Sequence, residues 1–144
     1  MLLTKWDMRF LKMAREVAGW SKDPSTQVGC VIARGNTELG LGYNGFPPQV
    51  EDKAEWWEDR ETKLKLVTHA ESNAIRKASA TGSLQGCTAY IWPCASCGEC
   101  AKLLTSWGIT KVLAPKSDRT DFEEASGFVY DRAKVDYCWI AEKF

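Results

Sequence analysis

Residues 87–114 read CTAYIWPCASCGECAKLLTSWGITKVLA. Cys87 to Trp92 is a short apolar, β-prone run and predicts a strand. Cys97 to Trp107 predicts a helix closed by Gly108, and Ile109 to Ala114 predicts the next strand. Upstream, His69 to Ala80 predicts another helix, with Thr68 as its N-cap, Glu71 completing a capping box and Gly82 as its stop. Val28 to Ala33 and Glu38 to Tyr43 predict two strands, and the Arg34-Gly35-Asn36 turn between them predicts a hairpin. Lys5 to Gly19 places Trp6, Phe10, Leu11, Ala14 and Val17 near helical spacing. Downstream, Phe122 to Arg132 predicts a weaker helix and Val135 to Ile140 a last strand. Glu51 to Lys65 is charged, carries the Trp56-Trp57 pair, and reads as a loop with some helix, an insertion or lid. The order α-β-β-α-β-α-β-α-β, with right-handed crossovers after the hairpin, predicts an α/β fold. It is a three-layer α/β/α sandwich, a five-stranded mixed sheet covered by helices on both faces.

A chain of 144 residues fits one domain, so residues 1–144 are read as a single unit. Folding at this size buries roughly 68–70% of the unfolded surface, which removes the need for a disulfide scaffold. Nineteen Lys+Arg balance nineteen Asp+Glu, and zero net charge argues against a nucleic-acid coater, whose affinity would come from a basic excess. No apolar run approaches the ~20 residues that span a bilayer, and the charged N-terminus lacks the apolar core of a signal peptide. The expectation is a soluble cytoplasmic protein with no membrane partner.

In a reducing compartment the six cysteines stay free, and three of them, Cys94, Cys97 and Cys100, fall within seven residues. Clustered thiols then point to metal binding or catalysis. The predicted helices at 69 and 97 both begin with ligand types, His69-Ala70-Glu71 in one and Pro93-Cys94-Ala95-Ser96-Cys97-Gly98-Glu99-Cys100 in the other. One imidazole and two thiolates, with a fourth position left open, describe a catalytic Zn2+ site rather than a closed structural one. Helix N-termini favour anionic ligands, and zinc ionises water near neutral pH. A carboxylate two residues from the histidine can carry a proton. The His-x-Glu…Pro-Cys-x-x-Cys pattern resembles the zinc deaminase signature. His69 is the only histidine. Cys94/Cys97 and Cys97/Cys100 share the same internal spacing, and local geometry leaves both pairs open.

The chain resembles the deoxycytidylate (dCMP) deaminases of the cytidine deaminase-like superfamily, from about Trp6 to Ile140. The blocks that carry the resemblance are Asp23-Pro24-Ser25-Thr26-Gln27-Val28-Gly29, Gly42-Tyr43-Asn44-Gly45-Phe46-Pro47, His69 to Ile75, and Cys97-Gly98-Glu99-Cys100-Ala101-Lys102. In that family the second ligand cysteine precedes Ala, with Gly-Ile eight residues on. Cys100 with Ala101 and Gly108-Ile109 matches, so the resemblance implies His69, Cys97 and Cys100 as ligands and makes Cys94 a bystander. Ser96 stands where the family has Pro.

The implied activity is hydrolytic deamination of dCMP to dUMP and ammonia, supplying thymidylate synthesis. Glu71 would carry the proton and the Ala70 main chain would accept from the 4-amino group. Asn44 would contact sugar or base, and Thr26 and Val28 would line the pocket. The monophosphate needs a cation, for which Lys22 and Arg119 are the candidates. The resemblance also implies a homo-oligomer, commonly a hexamer, with allosteric dCTP and dTTP. The competing readings are a deaminase of free (deoxy)cytidine, another cytosine nucleotide or a polynucleotide base, and an inactive zinc-stabilised nucleotide sensor.

Overall fold

The computed structural model describes residues 1–142, so the last two residues of the expected 1–144 unit lie outside the described part. Helix α1 (Lys5–Ala18) leads into strands β1 (Gly29–Arg34) and β2 (Thr37–Tyr43). Two short helices follow, α2 (Ala54–Glu58) and α3 (Arg60–Leu66), in the charged segment. The chain continues through α4 (Ala70–Ser79), β3 (Thr88–Trp92), α5 (Gly98–Ser106), β4 (Lys111–Pro115), α6 (Thr120–Ala133) and β5 (Asp136–Ile140). Five strands of the described residues form one sheet in the order β2-β1-β3-β4-β5. β1 runs antiparallel to β2 and β3, whereas β3, β4 and β5 are mutually parallel. Parallel neighbours need a crossover, and α5 and α6 supply the two crossovers.

The side-chain period of a strand sorts the core into two layers. In β1, Val31 and Ala33 pack with α1 through Phe10, Leu11 and Ala14. Cys30 and Ile32 pack on the opposite face with Ala70, Ala74 and Ala78 of α4, Leu104 of α5 and Tyr130 of α6. The mixed five-stranded sheet between helix layers is therefore the expected α/β/α architecture. No helix among the described residues is long and apolar enough to cross a membrane.

α1 is anchored by a reciprocal cap. Thr4 accepts from Asp7 N at 3.1 Å, and Asp7 Oδ2 accepts from Thr4 N at 2.8 Å. Asp7, 2% exposed, also accepts from the Tyr90 hydroxyl at 2.7 Å and from Lys111 Nζ at 3.1 Å, which ties α1 to β3 and β4. The capping box expected at Thr68 and Glu71 does not form. His69 is the N-cap of α4 and makes no side-chain cap. Thr68 is instead held in an extended bridge to Gly45, with backbone bonds of 3.1 and 2.7 Å, and Glu71 turns inward.

α4 lies unusually close to β2. Ala70, Ala74 and Ala78 recur every four residues and form one fully buried stripe. Facing them are Gly40 and Gly42, where a Cβ would sit 2.4 Å from the backbone nitrogens of Ala78 and Ala74. The Asn73 amide donates to Tyr43 O at 2.9 Å and fixes the register of the helix on the strand.

Two predictions follow from this packing. Gly42→Val forces α4 off the sheet, and chemical denaturation will show a stability loss of about 3 kcal/mol or more together with loss of the site at the start of α4. Burial alone would raise the Asp7 carboxyl, but bonds from Thr4, Tyr90 and Lys111 outweigh it and hold Asp7 below the usual carboxylate range. A folded value below the unfolded one stabilises above about pH 4 and is lost as pH falls through the folded value. Asp7→Asn will cost about 2 kcal/mol at pH 7, and acid-unfolding curves of mutant and wild type will converge below about pH 4.

Candidate metal centre

Two helices begin at one point. His69 is the N-cap of α4 and Cys97 the N-cap of α5, both with extended backbone, and Cys100 lies one turn into α5. One ligand atom from each of the three lies within 4.8 Å of the others. His69 Nδ1 is 3.2 Å from Cys100 Sγ and 3.8 Å from Cys97 Sγ. A tetrahedral zinc with Zn–N of about 2.1 Å and Zn–S of about 2.3 Å sets neighbouring donors about 3.6 Å apart, and the observed separations straddle that value. One imidazole and two thiols of this spacing fit the ion. Cys94 is outside the group; it is buried at the rim, and burial pushes its thiol up to about 11. Cys97 is lowered to about 4, first by the hydrogen bond with Cys100 and then by that with His69. The same contact pushes Cys100 up.

A cavity of about 650 Å³ opens over the group, and His69, Ala70, Glu71, Cys97, Thr26, Val28, Asn44 and Arg119 all line it. Glu71, 4% exposed, sits in the first turn of α4. Burial pushes its carboxyl up; a bond from Ser96, its own backbone N–H and the charge of His69 pull the other way. The Ser96 hydroxyl donates to Glu71 Oε2 at 2.6 Å.

The wall opposite is a buried polar network. Lys63 of α3, 8% exposed, bonds Asp23 Oδ1 at 2.7 Å. Asp23 also accepts from Ser25 N, Thr26 N and the Asn44 amide at 2.8, 3.3 and 3.1 Å. Asn44 in turn donates to Thr26 O and accepts from Val28 N, both at 2.9 Å. Asn44 thus reaches the cavity edge and fastens the Thr26–Val28 wall.

Lys22 is not brought to this cavity. Its ammonium pairs with Asp52 at 3.0 Å and lines a separate hollow of about 360 Å³ with Trp20 and Arg76. Asp23 turns inward to cap the turn that follows it, whereas Lys22 is exposed. Arg119 is at the cavity mouth, bonded to Asp121 at 2.9 and 3.0 Å and lying 3.7 Å over the Phe122 ring. Sequence reading missed Arg60 and Lys63, which α3 carries to the cavity. No local pattern marks them within a charged segment. Ser96 was visible only as an unusual residue ahead of Cys97.

The sequence matches the model for the cytidine and deoxycytidylate deaminase zinc-binding region over residues 4–115. It is 37% identical over 147 aligned residues to an uncharacterised deaminase of the luxG 3' region from Aliivibrio fischeri, covering 96% of both chains. It is also 37% identical to the deoxycytidylate deaminase of Homo sapiens over 130 residues, 85% of this chain and 71% of that one. Among solved structures, the dCMP deaminase of cyanophage S-TIM5 in complex with dCMP and dUMP superposes with a TM-score of 0.77. That match covers 97% of this chain and all of the other, and at 20% identity it is a likeness of fold.

If the three grouped residues are the ligands, elemental analysis of purified Cys100→Ser will show less than about a tenth of the wild-type zinc, because a three-donor open site loses a third of its set. Cys94→Ser will keep its zinc.

Proposed function

We propose, on the premise that the chain belongs to the cytidine and deoxycytidylate deaminase zinc-binding family, that it is a zinc-dependent hydrolase converting dCMP to dUMP and ammonia, with residues 1–144 acting as one deaminase domain and the dUMP feeding thymidylate synthesis. The observation that carries the reading is a buried carboxylate, Glu71, beside a His69–Cys97–Cys100 donor group, with Glu71, His69 and Cys97 lining one cavity. Identity to deoxycytidylate deaminases supports dCMP as the nucleotide.

His69, Cys97 and Cys100 would hold the zinc, which when bound supplies a Lewis acid that brings the ionisation of water near neutrality. Glu71 moves the protons. Its carboxylate takes one proton from the attacking water and delivers it to N3 of the pyrimidine; it then carries the second, from the hydroxyl now on C4, to the 4-amino nitrogen, so that the C4–N bond breaks, C4 becomes a carbonyl and ammonia leaves. Burial suits that task, because a carboxyl raised from its usual range gives and accepts a proton more evenly near pH 7. The Ala70 main chain, which lines the cavity at the start of α4, meets the pyrimidine edge; its N–H is among the unpaired donors of the first turn, while its carbonyl is turned toward Gly42 of β2. Thr26 and Val28 form the wall that Asn44 fastens, and the second lone pair of Asn44 Oδ1 remains for a sugar hydroxyl.

The 5′-phosphate goes to the cavity mouth, where Arg119 and Arg60 stand; among the described residues Arg60 makes no ion pair. Lys63 is neutralised by Asp23 and serves the wall instead. The second hollow, with Lys22, Arg76 and Lys77 beside Trp20 and Tyr43, is the place for the regulatory dCTP and dTTP that the family resemblance implies, and the exposed Trp107 and Phe128 offer surface for assembly into a homo-oligomer in the cytoplasm.

Ammonia release from dCMP, deoxycytidine and single-stranded DNA, run in parallel on zinc-loaded protein, tests the assignment. The expected kcat/KM for dCMP exceeds that for deoxycytidine by roughly 100-fold, the effect of one or two charge-assisted phosphate contacts. Equal rates would move the substrate to the free nucleoside, and no turnover of any of them would leave a nucleotide sensor. Glu71→Gln will keep its zinc and lose roughly a thousandfold or more in kcat.

A further inference from the structure

Ser96 lies in the short turn between β3 and α5 and is 2% exposed. Its hydroxyl donates to Glu71 Oε2 at 2.6 Å across a sequence separation of 25 residues. Among the described residues no other side chain hydrogen-bonds that carboxylate. An ionised carboxylate is acceptor-only, so the single serine proton is committed to Glu71, and the lone pairs of Ser96 are left to face other groups. One fully buried group lies alongside. The Tyr130 hydroxyl of α6 meets no partner at full hydrogen-bond geometry among the described residues; Ser96 is the side-chain hydrogen-bonding group beside it, and the Glu71 charge is near by. A proline at position 96, the residue of the family pattern, has no proton to donate and could neither hold Glu71 nor receive Tyr130.

We propose that Ser96 is a positioning residue for Glu71: by gripping Oε2 it fixes the carboxylate torsion and leaves Oε1 as the oxygen that meets water and substrate. The role arises at a position where the family resemblance implies proline. It rests on the reading of Glu71 as the proton carrier. A carboxylate with one oxygen tethered samples fewer rotamers, and correct placement of a proton carrier enters kcat rather than substrate affinity.

The test compares Ser96→Ala, Ser96→Thr and Ser96→Pro with wild type in zinc content, kcat and KM for dCMP. Ser96→Ala should keep its zinc and a KM within about twofold while kcat falls about 10- to 100-fold, the value of one charge-assisted hydrogen bond. Ser96→Thr, which keeps the hydroxyl, should recover most of that loss, and Ser96→Pro should behave as Ser96→Ala. A kcat for Ser96→Ala within about twofold of wild type, a loss that threonine fails to recover, or a loss that tracks missing zinc would overturn the proposal.

An activity-independent arm measures melting temperature in a cycle of Ser96→Ala with Glu71→Ala. Removing the hydroxyl should lower the melting temperature markedly while Glu71 is present and little once it is gone. Equal losses in both backgrounds would show that the two side chains do not couple, and would overturn the proposal even in a protein that turns over none of the cytosine nucleotides. That last result alone would overturn the functional reading and leave the cycle to decide Ser96.

Discussion

Backbone contact between α4 and β2 is the constraint on which the site depends. Gly40 and Gly42 carry no Cβ, and Ala70, Ala74 and Ala78 present only a methyl, so the helix settles directly on the strand. Interiors are packed near crystal density, and a helix seated this closely has almost no freedom to slide or roll. Its first turn therefore delivers His69 and Glu71 to a fixed place. The α5 crossover between β3 and β4 delivers Cys97 and Cys100 to the same place from a neighbouring strand end. Two unrelated local geometries converge because the sheet order puts β1 between β2 and β3.

Buried charge is handled by pairing throughout. An isolated carboxylate in the interior carries a penalty of several kcal/mol, and only good geometry with further hydrogen bonds offsets it. Asp7 meets that condition with the Thr4 cap, Tyr90 and Lys111; Asp23 meets it with Lys63, two backbone N–H groups and Asn44. Both are held below the ordinary carboxylate range despite burial. Glu71 is the contrast. With one side-chain donor it is pushed upward, the direction that suits a group meant to exchange a proton rather than hold a charge. What separates Glu71 from Asp7 and Asp23 is the number of donors each is given.

Zero net charge concealed a local arrangement. The cavity is lined by thiol, imidazole and carboxylate groups, with Arg60 and Arg119 also on its wall, an arrangement that supports the proposed phosphate contact.

Period and composition gave the strand count and the α/β class, because helix and strand patterns are written over a few residues, whereas the two helices of the charged segment, α2 and α3, were read only as a loop with some helix. The capping box at Thr68 misled, since a tertiary bridge to Gly45 claims that residue and burial claims Glu71. Local spacing left two cysteine pairs equivalent; the family resemblance implied Cys97 and Cys100, and the fold brings that pair to His69, 28 and 31 residues away. The inward turn of Asp23, the outward turn of Lys22, the burial of Lys63 against a partner 40 residues distant and the placement of Ser96 beneath Glu71 were likewise decided by tertiary structure. Each depends on where separate segments meet in space, and no repeat along the chain records that.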